Sequence, residues 1–309
     1  MRFIVTGATG YIGSKLVKAL LQRGDHVVVL SRQPKPEWMC WEGDLRWVEW
    51  DITTNPGGLQ VEGDVLIHLA AANDVASQNP TAAISGTVIG TRHALELCVQ
   101  NGINNFIYFS TLQVYGAISG KISENTLTHP LSDYGFTHWV AEEYVRMFNR
   151  ISGLGYVILR PSNVFGAPLS SRIDRWSLVP SCLCLDAHRN GSVTLKSSGL
   201  QERDFISLDD VVSATLYICD RLDDFLGSVL NVASGRSQTI RDVARMVCDI
   251  YAERQRKECV LNCLTEEPDE SQPLTVQSDR LKSFGWSSSG SESMGIEIGK
   301  IFDLLQEKM

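Results

Sequence analysis

The sequence has no apolar stretch long enough to cross a membrane and no surplus of basic residues. Within residues 1–30 the apolar run Phe3 to Val5 is broken at once by Thr6 and Gly7, so we expect no secretory signal. The chain has 28 lysines and arginines against 36 aspartates and glutamates, a formal charge of −8. These absences predict a cytoplasmic protein that binds neither nucleic acid nor membrane.

Metal-binding patterns are also missing. The eight cysteines are scattered, and neither Cys182-Leu-Cys184 nor the pair Cys259 and Cys263 has histidine or cysteine partners at zinc spacing. We therefore expect free thiols and no bound metal.

What the sequence does contain is an alternation of short β-branched runs with longer helical patterns over 309 residues. This alternation is typical of βαβ units, and it predicts an α/β fold built on a Rossmann doubly wound parallel sheet. The predicted strands of the first half are Arg2–Thr6, His26–Leu30, Arg46–Trp50, Val65–Leu69, Phe106–Ser110 and Tyr156–Leu159.

The pattern changes after about Val164, where loops lengthen and short strands are predicted at Val193–Leu195, Phe205–Ser207 and Val229–Val232. We therefore predict a dinucleotide-binding Rossmann domain over residues 1–165. Residues 166–309 would form mainly a smaller α/β substrate-binding lobe, with some segments returning to the first domain.

A glycine-rich turn lies between the first strand and an amphipathic helix and reads Thr6-Gly-Ala-Thr-Gly-Tyr-Ile-Gly13. Gly7 allows a tight turn, Gly10 lets a pyrophosphate approach the backbone, and Gly13 lets helix and strand pack closely. The helix N-terminus offers free N–H groups to the phosphates. The predicted cofactor contacts in this turn are Gly7, Thr9, Gly10, Tyr11, Ile12 and Gly13.

The end of the second strand governs cofactor choice, because a carboxylate there binds the adenosine ribose 2′-OH and a cation accommodates a 2′-phosphate. The chain has Ser31-Arg32, which favours NADP; the alternative is that Arg32 is a solvated loop residue and the cofactor is NAD. A carboxylate after the third strand can reach the adenine amino group, and small residues after the fourth leave room beside the cofactor. The corresponding predicted contacts are Asp51, Ile52, Leu69, Ala70 and Ala71.

Seven further motifs occur in an order that resembles the extended short-chain dehydrogenases, specifically the NAD-dependent epimerase/dehydratase family that acts on nucleotide sugars. They are His68-Leu-Ala-Ala71, Ser110-Thr-Leu-Gln-Val-Tyr-Gly116, Tyr134-Gly-Phe-Thr-His138, Arg160-Pro-Ser-Asn-Val-Phe-Gly166, Arg203-Asp-Phe-Ile-Ser-Leu-Asp-Asp210, Asn231-Val-Ala-Ser-Gly235 and Phe284-Gly-Trp286. The resemblance covers nearly the whole chain.

The resemblance implies hydride transfer between nicotinamide C4 and a sugar carbon, with Tyr134 exchanging the proton of the alcohol or carbonyl. Thr111 matches the hydroxyl that hydrogen-bonds the reacting oxygen, and Arg203 matches an arginine that pairs with the substrate diphosphate. Further implied contacts are Ser110, Tyr134, His138 and Pro161 with the cofactor, and Asn163 with the substrate.

Three positions depart from the family pattern. Glu267 aligns most simply with the family's usual second arginine, and because a carboxylate there would repel a diphosphate, either the substrate carries less phosphate charge or another basic residue such as Arg172, Arg175 or Arg280 compensates. Thr87 stands where the family commonly has asparagine, and His138 replaces the lysine that stabilises the tyrosine phenolate and holds the nicotinamide ribose. Histidine is mostly neutral at pH 7 and shorter than lysine, so its help to a phenolate at Tyr134 is conditional. Two alternatives remain: His138 only hydrogen-bonds the ribose, or the site is chemically silent.

These observations favour an NADP(H)-dependent oxidoreductase that reduces a keto group on a nucleotide-linked deoxysugar. The first alternative is a nucleotide-sugar epimerase or dehydratase that retains NAD or NADP, and the second is a non-catalytic NADP-binding protein with a degenerate Tyr-x3-His site. The family resemblance also predicts a homodimer formed through the helical segments Thr81–Gln100 and Phe136–Ile151.

Overall fold

A computed structural model of the chain describes residues 1–265, 273–290 and 293–306. Its strands are β1 (Arg2–Thr6), β2 (His26–Ser31), β3 (Leu45–Glu49), β4 (Val65–His68), β5 (Asn105–Phe109), β6 (Lys121–Ile122), β7 (Gly155–Pro161), β8 (Asn163–Phe165), β9 (Ser192–Leu195), β10 (Glu202–Ser207), β11 (Ser228–Val232), β12 (Ser237–Thr239), β13 (Val260–Cys263) and β14 (Thr275–Val276). Its helices are α1 (Tyr11–Gln22), α2 (Pro80–Ala83), α3 (Gly90–Asn101), α4 (Asp133–Ser152), α5 (Val179–Asn190), α6 (Leu208–Asp220), α7 (Leu222–Phe225), α8 (Ile240–Gln255), α9 (Asp279–Ser283) and α10 (Ser293–Gln306).

The chain folds into two compact units, each made of several segments. The first unit comprises Met1–Ala117, Thr126–Pro161 and Thr215–Leu230, and the second comprises Ile118–Asn125, Ser162–Ala214 and Asn231–Met309. The division into residues 1–165 and 166–309 stays a prediction.

The first unit is built on a sheet with the strand order β3-β2-β1-β4-β5-β7-β11. Strand β1 pairs in parallel with β2 on one side and β4 on the other, and β2–β3, β4–β5 and β5–β7 are parallel as well. The strand order therefore reverses between β1 and β4, which is where open α/β sheets bind ligands at the strands' carboxyl ends. The predicted doubly wound α/β fold is confirmed, and the strands predicted in the first half lie within two residues of their observed ends.

Amphipathic helices cover this sheet because their apolar faces need burial. The face of α1 predicted from helical spacing, Leu16, Val17, Leu20 and Leu21, is buried. The apolar residues of helices α3 and α4 form one buried core cluster with strand residues such as Ile4.

The helix that enters α3 is not regular. Pro80 and the side chain of Asn79, which accepts the N–H groups of Thr81 and Ala82, begin α2, and a π-helical turn over Ile84–Ile89 follows before α3. Such π turns are rare and are frequent at functional sites. The sequence pattern predicts a regular helix here and misses the π turn.

The second unit contains a three-stranded sheet with the order β12-β10-β8 and the two-stranded pairs β13–β9 and β14–β6. Helices α5, α8 and α10 supply most of its core, in which Phe205, Val247 and Phe302 are almost completely buried. No helix in the described part of the chain is long and apolar enough to cross a membrane.

Candidate active site

The glycine turn after β1 leaves no room for side chains. Gly7 has φ +70°, and a Cβ atom on it would lie 2.7 Å from both the amide nitrogen of Ala70 and the carbonyl carbon of Leu69. A Cβ atom on Gly13 would overlap the carbonyl oxygen of Gly7, and that oxygen accepts the N–H of Gly10 at 3.0 Å. The turn is therefore held tightly against the residues that follow β4.

Helix α1 begins directly after this turn with its N-terminus uncapped by any side chain. Gly10 is the N-cap, it provides no side-chain hydrogen bond, and the first turn of the helix has no acidic residue. The N–H groups at a helix start lack intrahelical partners and carry partial positive charge. A narrow glycine cradle below an uncapped helix N-terminus fits the pyrophosphate of a dinucleotide.

The predicted adenosine end of this site lies at the ends of β2 and β3. The Asp51 carboxylate accepts hydrogen bonds from the N–H and hydroxyl of Thr53 at 2.9 and 2.8 Å. These bonds, with a smaller contribution from the charge of Arg32, lower the pKa of Asp51. Arg32 itself is exposed, and the Ser31 hydroxyl accepts the N–H of Gln33. The Ile52 side chain packs so closely against Gly90 that a Cβ atom there would lie 2.6 Å from Ile52 Cδ1.

Helix α4 carries Tyr134, His138 and Glu142 at intervals of four residues, so the three side chains share one face. The helix begins at the Ser132 cap, whose hydroxyl accepts the N–H of Gly135 at 3.2 Å. The rings of Tyr134 and His138 meet edge to face with their centres 4.8 Å apart. The structure thus brings together the two side chains that the sequence pairs for proton transfer.

His138 is buried and electrically neutral. Only 3% of its surface is exposed, and its Nδ1 atom lies 2.8 Å from the Tyr108 hydroxyl on β5. Burial lowers the pKa of His138 to about 4, although the Glu142 charge opposes the shift. At neutral pH this histidine can therefore help Tyr134 only as a hydrogen-bonding group, whereas lysine would bring a charge.

Ser110 and Thr111 follow β5 directly and lie at the carboxyl end of the sheet. The Thr111 side chain caps a short 3-10 turn by accepting the N–H of Gln113 at 3.2 Å. The Ser110 hydroxyl donates to Glu142 at 2.6 Å. Ser110 and Thr111 are thus both ordered by local hydrogen bonds, and Ser110 is tied to the helix that carries Tyr134.

Glu142 forms a buried ion cluster below the site. Its carboxylate, 0% exposed, accepts bonds from Arg160 Nε at 2.8 Å and Arg160 Nη2 at 2.6 Å, and from Arg146 Nη2 at 3.0 Å. Burial alone would raise the pKa of Glu142, but the hydrogen bonds and charge of Arg160 outweigh it and hold the pKa below its usual value. The Arg160 guanidinium also lies over the Tyr115 ring, 4.8 Å from its centre.

A second buried histidine lies one strand further along the sheet. Thr6, His68 and Tyr108 occupy paired positions on β1, β4 and β5. His68 bonds Thr6 Oγ1 through Nδ1 at 2.7 Å and Thr91 Oγ1 through Nε2 at 3.2 Å. Burial, with the nearby His138, lowers the pKa of His68 to about 3, so it too is neutral.

The predicted substrate residues lie in the second unit. The Asn163 side chain donates to the carbonyl of Asp204 at 2.9 Å, and the Arg203 guanidinium donates to the carbonyl of Glu202 at 2.9 Å. Asn163 is on β8 and Arg203 is on the neighbouring strand β10. Pro161, a predicted cofactor contact, ends β7 in the first unit. Glu267 lies outside the described residues.

Sequence reasoning gave no role to Tyr108, Glu142 and Arg160, although all three support the α4 face. For Glu142 a signal was available, since it lies one helical turn beyond His138 on the same face. Tyr108 was assigned only to a strand, because its contact with His138 joins residues 30 positions apart. In the described residues no group of three or more His, Cys, Asp or Glu side chains could hold a metal ion.

Known proteins resemble this chain over most of its length. The model of the NAD dependent epimerase/dehydratase family matches residues 3–233. A putative UDP-glucose 4-epimerase of Methanocaldococcus jannaschii is 26% identical over 95% of each chain. The ADP-L-glycero-D-manno-heptose-6-epimerase of Cupriavidus pinatubonensis is 30% identical over 80% of this chain and 77% of its own.

Among solved structures, the UDP-glucuronic acid 4-epimerase from Bacillus cereus, in complex with UDP-glucuronic acid and NAD, superposes with a TM-score of 0.84. It is 25% identical, and the match covers 100% of both chains. The fold and the site therefore define an extended short-chain dehydrogenase/reductase. The chain belongs to the NAD dependent epimerase/dehydratase family.

Proposed function

We propose that this protein is a nucleotide-sugar epimerase that retains its dinucleotide and inverts C4 of a UDP-hexose. The observation that carries the proposal is the pairing of a glycine cradle at the β1–β4 reversal with Tyr134 and Thr111 at the same edge of the sheet. The family match and the epimerase activities named for the relatives support it.

This proposal takes up the alternative that the sequence left open. The sequence favours a reductase of keto-deoxysugars, but the relatives described above are epimerases. An epimerase needs the same tyrosine in both directions, because one proton leaves the alcohol and then returns to the carbonyl oxygen. The site retains the groups for this exchange, which speaks against the non-catalytic alternative.

In the proposed reaction the chain's own residues bind, orient and exchange a proton. The Tyr134 side chain, as a phenolate, would take the proton of the sugar alcohol and, as the resulting phenol, would return it, while the Thr111 hydroxyl would orient the reacting oxygen. His138 supplies a neutral hydrogen bond at the position of the family lysine. A dinucleotide held at the glycine turn would supply the hydride acceptor and donor that no side chain can provide.

We propose NAD as the resident cofactor, although Ser31-Arg32 in the sequence favours NADP. The Arg32 charge acts on Asp51, whose carboxylate would repel a 2′-phosphate. The Bacillus cereus relative holds NAD. The glycine turn and the N-terminus of α1 would hold the pyrophosphate, and Asp51 would lie at the adenosine end. Ser110, His138 and Pro161 would line the nicotinamide end.

For the substrate we propose that Arg203 pairs with the diphosphate and that Asn163 contacts the sugar nucleotide. A guanidinium can bind two phosphate oxygens at once, which a lysine ammonium does less specifically. In keeping with the composition, we further propose that the protein works in the cytoplasm.

We also propose a homodimer that pairs the helices preceding and following β5. In the segments predicted to pair, 81–100 and 136–151, Ile84, Val99, Phe136 and Ile151 are each about half exposed or more, at 51%, 49%, 49% and 69%. Large apolar side chains grouped on neighbouring helices are typical of a protein interface.

The proposal is tested by mixing purified protein, without added cofactor, with UDP-glucose, UDP-glucuronic acid and UDP-N-acetylglucosamine. We expect one of them to be converted to its C4 epimer, and we expect mass spectrometry of the acid-denatured protein to detect NAD. Tyr134→Phe should abolish conversion, whereas Tyr144→Phe, which removes a hydroxyl from the same helix, should not. Turnover by Tyr134→Phe at the normal rate would contradict the assigned role.

A further inference from the structure

Helix α3 holds the turn that follows β3 through two of its residues. Gly90 and His93 lie three positions apart and therefore share one face of the helix. The Ile52 side chain packs closely on Gly90, and the Ile52 carbonyl oxygen lies 2.8 Å from His93 Nδ1. Ile52 is thus fixed both at its side chain and at its backbone. The sequence pattern gives His93 no role, because its partner lies 41 positions away.

The acceptor fixes the direction of the His93 bond. A backbone carbonyl has no proton and can only accept, so Nδ1 of His93 carries a proton and donates it to Ile52. The neutral ring with its proton on Nδ1 and the imidazolium both provide this donor. The bond is therefore independent of the charge of His93.

One peptide group links His93 to Asp51. The Ile52 carbonyl and the Thr53 N–H belong to the same planar unit. That N–H donates to Asp51 Oδ1 at 2.9 Å, and the Thr53 hydroxyl donates to the same oxygen at 2.8 Å. The His93 bond fixes the plane of this peptide, so it also fixes the N–H that orients the Asp51 carboxylate. Hydrogen bonds in such a chain polarise and strengthen one another.

Asp51 keeps one carboxylate oxygen for a ligand. Both bonds from Thr53 go to Oδ1, and in the described part of the chain Oδ2 has no hydrogen-bond partner. The bonds from Thr53 also lower the pKa of Asp51, so the group is ionised at neutral pH and can accept a ligand N–H.

We infer that His93 is a positioning residue for the adenosine end of the dinucleotide site. It holds the Ile52–Thr53 peptide, and through that peptide it keeps the Asp51 carboxylate in place for the adenine amino group. The inference rests on the cofactor site of the proposed function, whereas the hydrogen-bond chain from His93 to Asp51 does not.

Asn101, at the end of α3, fastens the other end of the β3–β4 connection and supplies a matched control. Its side-chain amide donates to the Leu59 carbonyl at 3.0 Å, and its side-chain carbonyl accepts the Val61 N–H at 3.0 Å. These bonds join α3 to the same connection as the His93 bond does, but they do not involve the peptide that orients Asp51. A change at Asn101 therefore loosens the connection without acting on that carboxylate directly.

The test is the rate at which the purified protein exchanges its NAD for NADH added in excess, followed by the fluorescence of bound NADH. His93→Leu removes the donor and keeps a side chain of similar size. We expect exchange to be about two- to tenfold faster in this variant, the effect of one net hydrogen bond, with the affinity for UDP within about twofold of wild type. His93→Asn carries an N–H the same number of bonds from the backbone as Nδ1, so it should restore the wild-type rate.

Asn101→Leu should lower Tm and leave the exchange rate unchanged. Exchange by His93→Leu at the wild-type rate would overturn the inference. Equal acceleration in Asn101→Leu would also overturn it, since that result would indicate general loosening, as would a failure of His93→Asn to restore the rate. A wild-type protein that binds no NAD would overturn the inference and the cofactor proposal together. Absence of turnover with UDP sugars would refute only the proposed function, because the exchange needs no turnover.

Discussion

Replacing Glu142 by glutamine should destabilise the first unit strongly, although the two side chains have nearly the same shape. The carboxylate is completely buried and holds Arg160 through two hydrogen bonds of 2.8 and 2.6 Å. Glutamine keeps one acceptor oxygen but no charge, so the buried guanidinium loses its counter-ion. Removing one partner of a buried ion pair costs about 3–5 kcal/mol.

For a domain of roughly 150–250 residues each kcal/mol changes Tm by about 2–4 °C, so Glu142→Gln should lower Tm by about 10 °C. The matched control is Glu143→Gln at the next position of α4. Glu143 also pairs with Arg146, at 2.6 Å, but its side chain is 48% exposed, and such exposed pairs contribute about 0–1 kcal/mol. Glu143→Gln should therefore change Tm by no more than about 4 °C.

The assay is calorimetry of the two variants and the wild-type protein from pH 3 to pH 8. Because the pKa of Glu142 is lower in the folded protein, its stabilisation is present above the ordinary glutamate value of 4.5 and is lost as pH falls below it. The difference between wild type and Glu142→Gln should thus shrink below about pH 4. Equal melting temperatures at pH 7 would refute the assignment of Glu142 as the counter-ion that joins α4 to the sheet.

Three further outcomes are expected. Because burial lowers the pKa of His138 to about 4, the stability that the neutral histidine provides is complete above pH 6.5 and is lost as pH falls toward 4. Calorimetry should therefore find that stability depends less steeply on pH in His138→Asn than in the wild-type protein. An equal slope would count against a buried neutral histidine. Titration should find NAD bound at least as tightly as NADP, with Arg32→Ala weakening NADP alone, and a tenfold preference for NADP would reverse the cofactor proposal. Light scattering should return a particle of twice 34.2 kDa that Phe136→Asp reduces to one chain, and a wild-type monomer at micromolar concentration would remove the dimer proposal.

The first half of the fold follows from local sequence patterns. Short apolar runs separated by amphipathic helices predict the central strands, and the glycine spacing after β1 predicts a turn in which Gly7 has a positive φ. These features depend on residues close in sequence, so they can be inferred before any tertiary contact is known.

The features that escape the sequence are those that depend on distant contacts. The π turn at Ile84–Ile89 contains Gly86, but a lone glycine in a helical pattern does not distinguish a π turn from a regular helix. Glu142 is a residue type usually found at the surface, and its burial is made tolerable chiefly by Arg160, which approaches from β7. The hydrogen bond of His138 to Tyr108 joins α4 to β5, so no local pattern predicts it.

The central claim is that this chain inverts a sugar carbon by removing and returning the same hydride at a retained cofactor. UDP-glucose, UDP-glucuronic acid and UDP-N-acetylglucosamine, each carrying deuterium at C4 and incubated in ordinary water with the purified protein and no added cofactor, test it most directly. We expect one of them to give its C4 epimer with the deuterium retained at C4. A product that has exchanged its C4 deuterium for a solvent proton would contradict it, as would the absence of any epimer from protein that contains NAD.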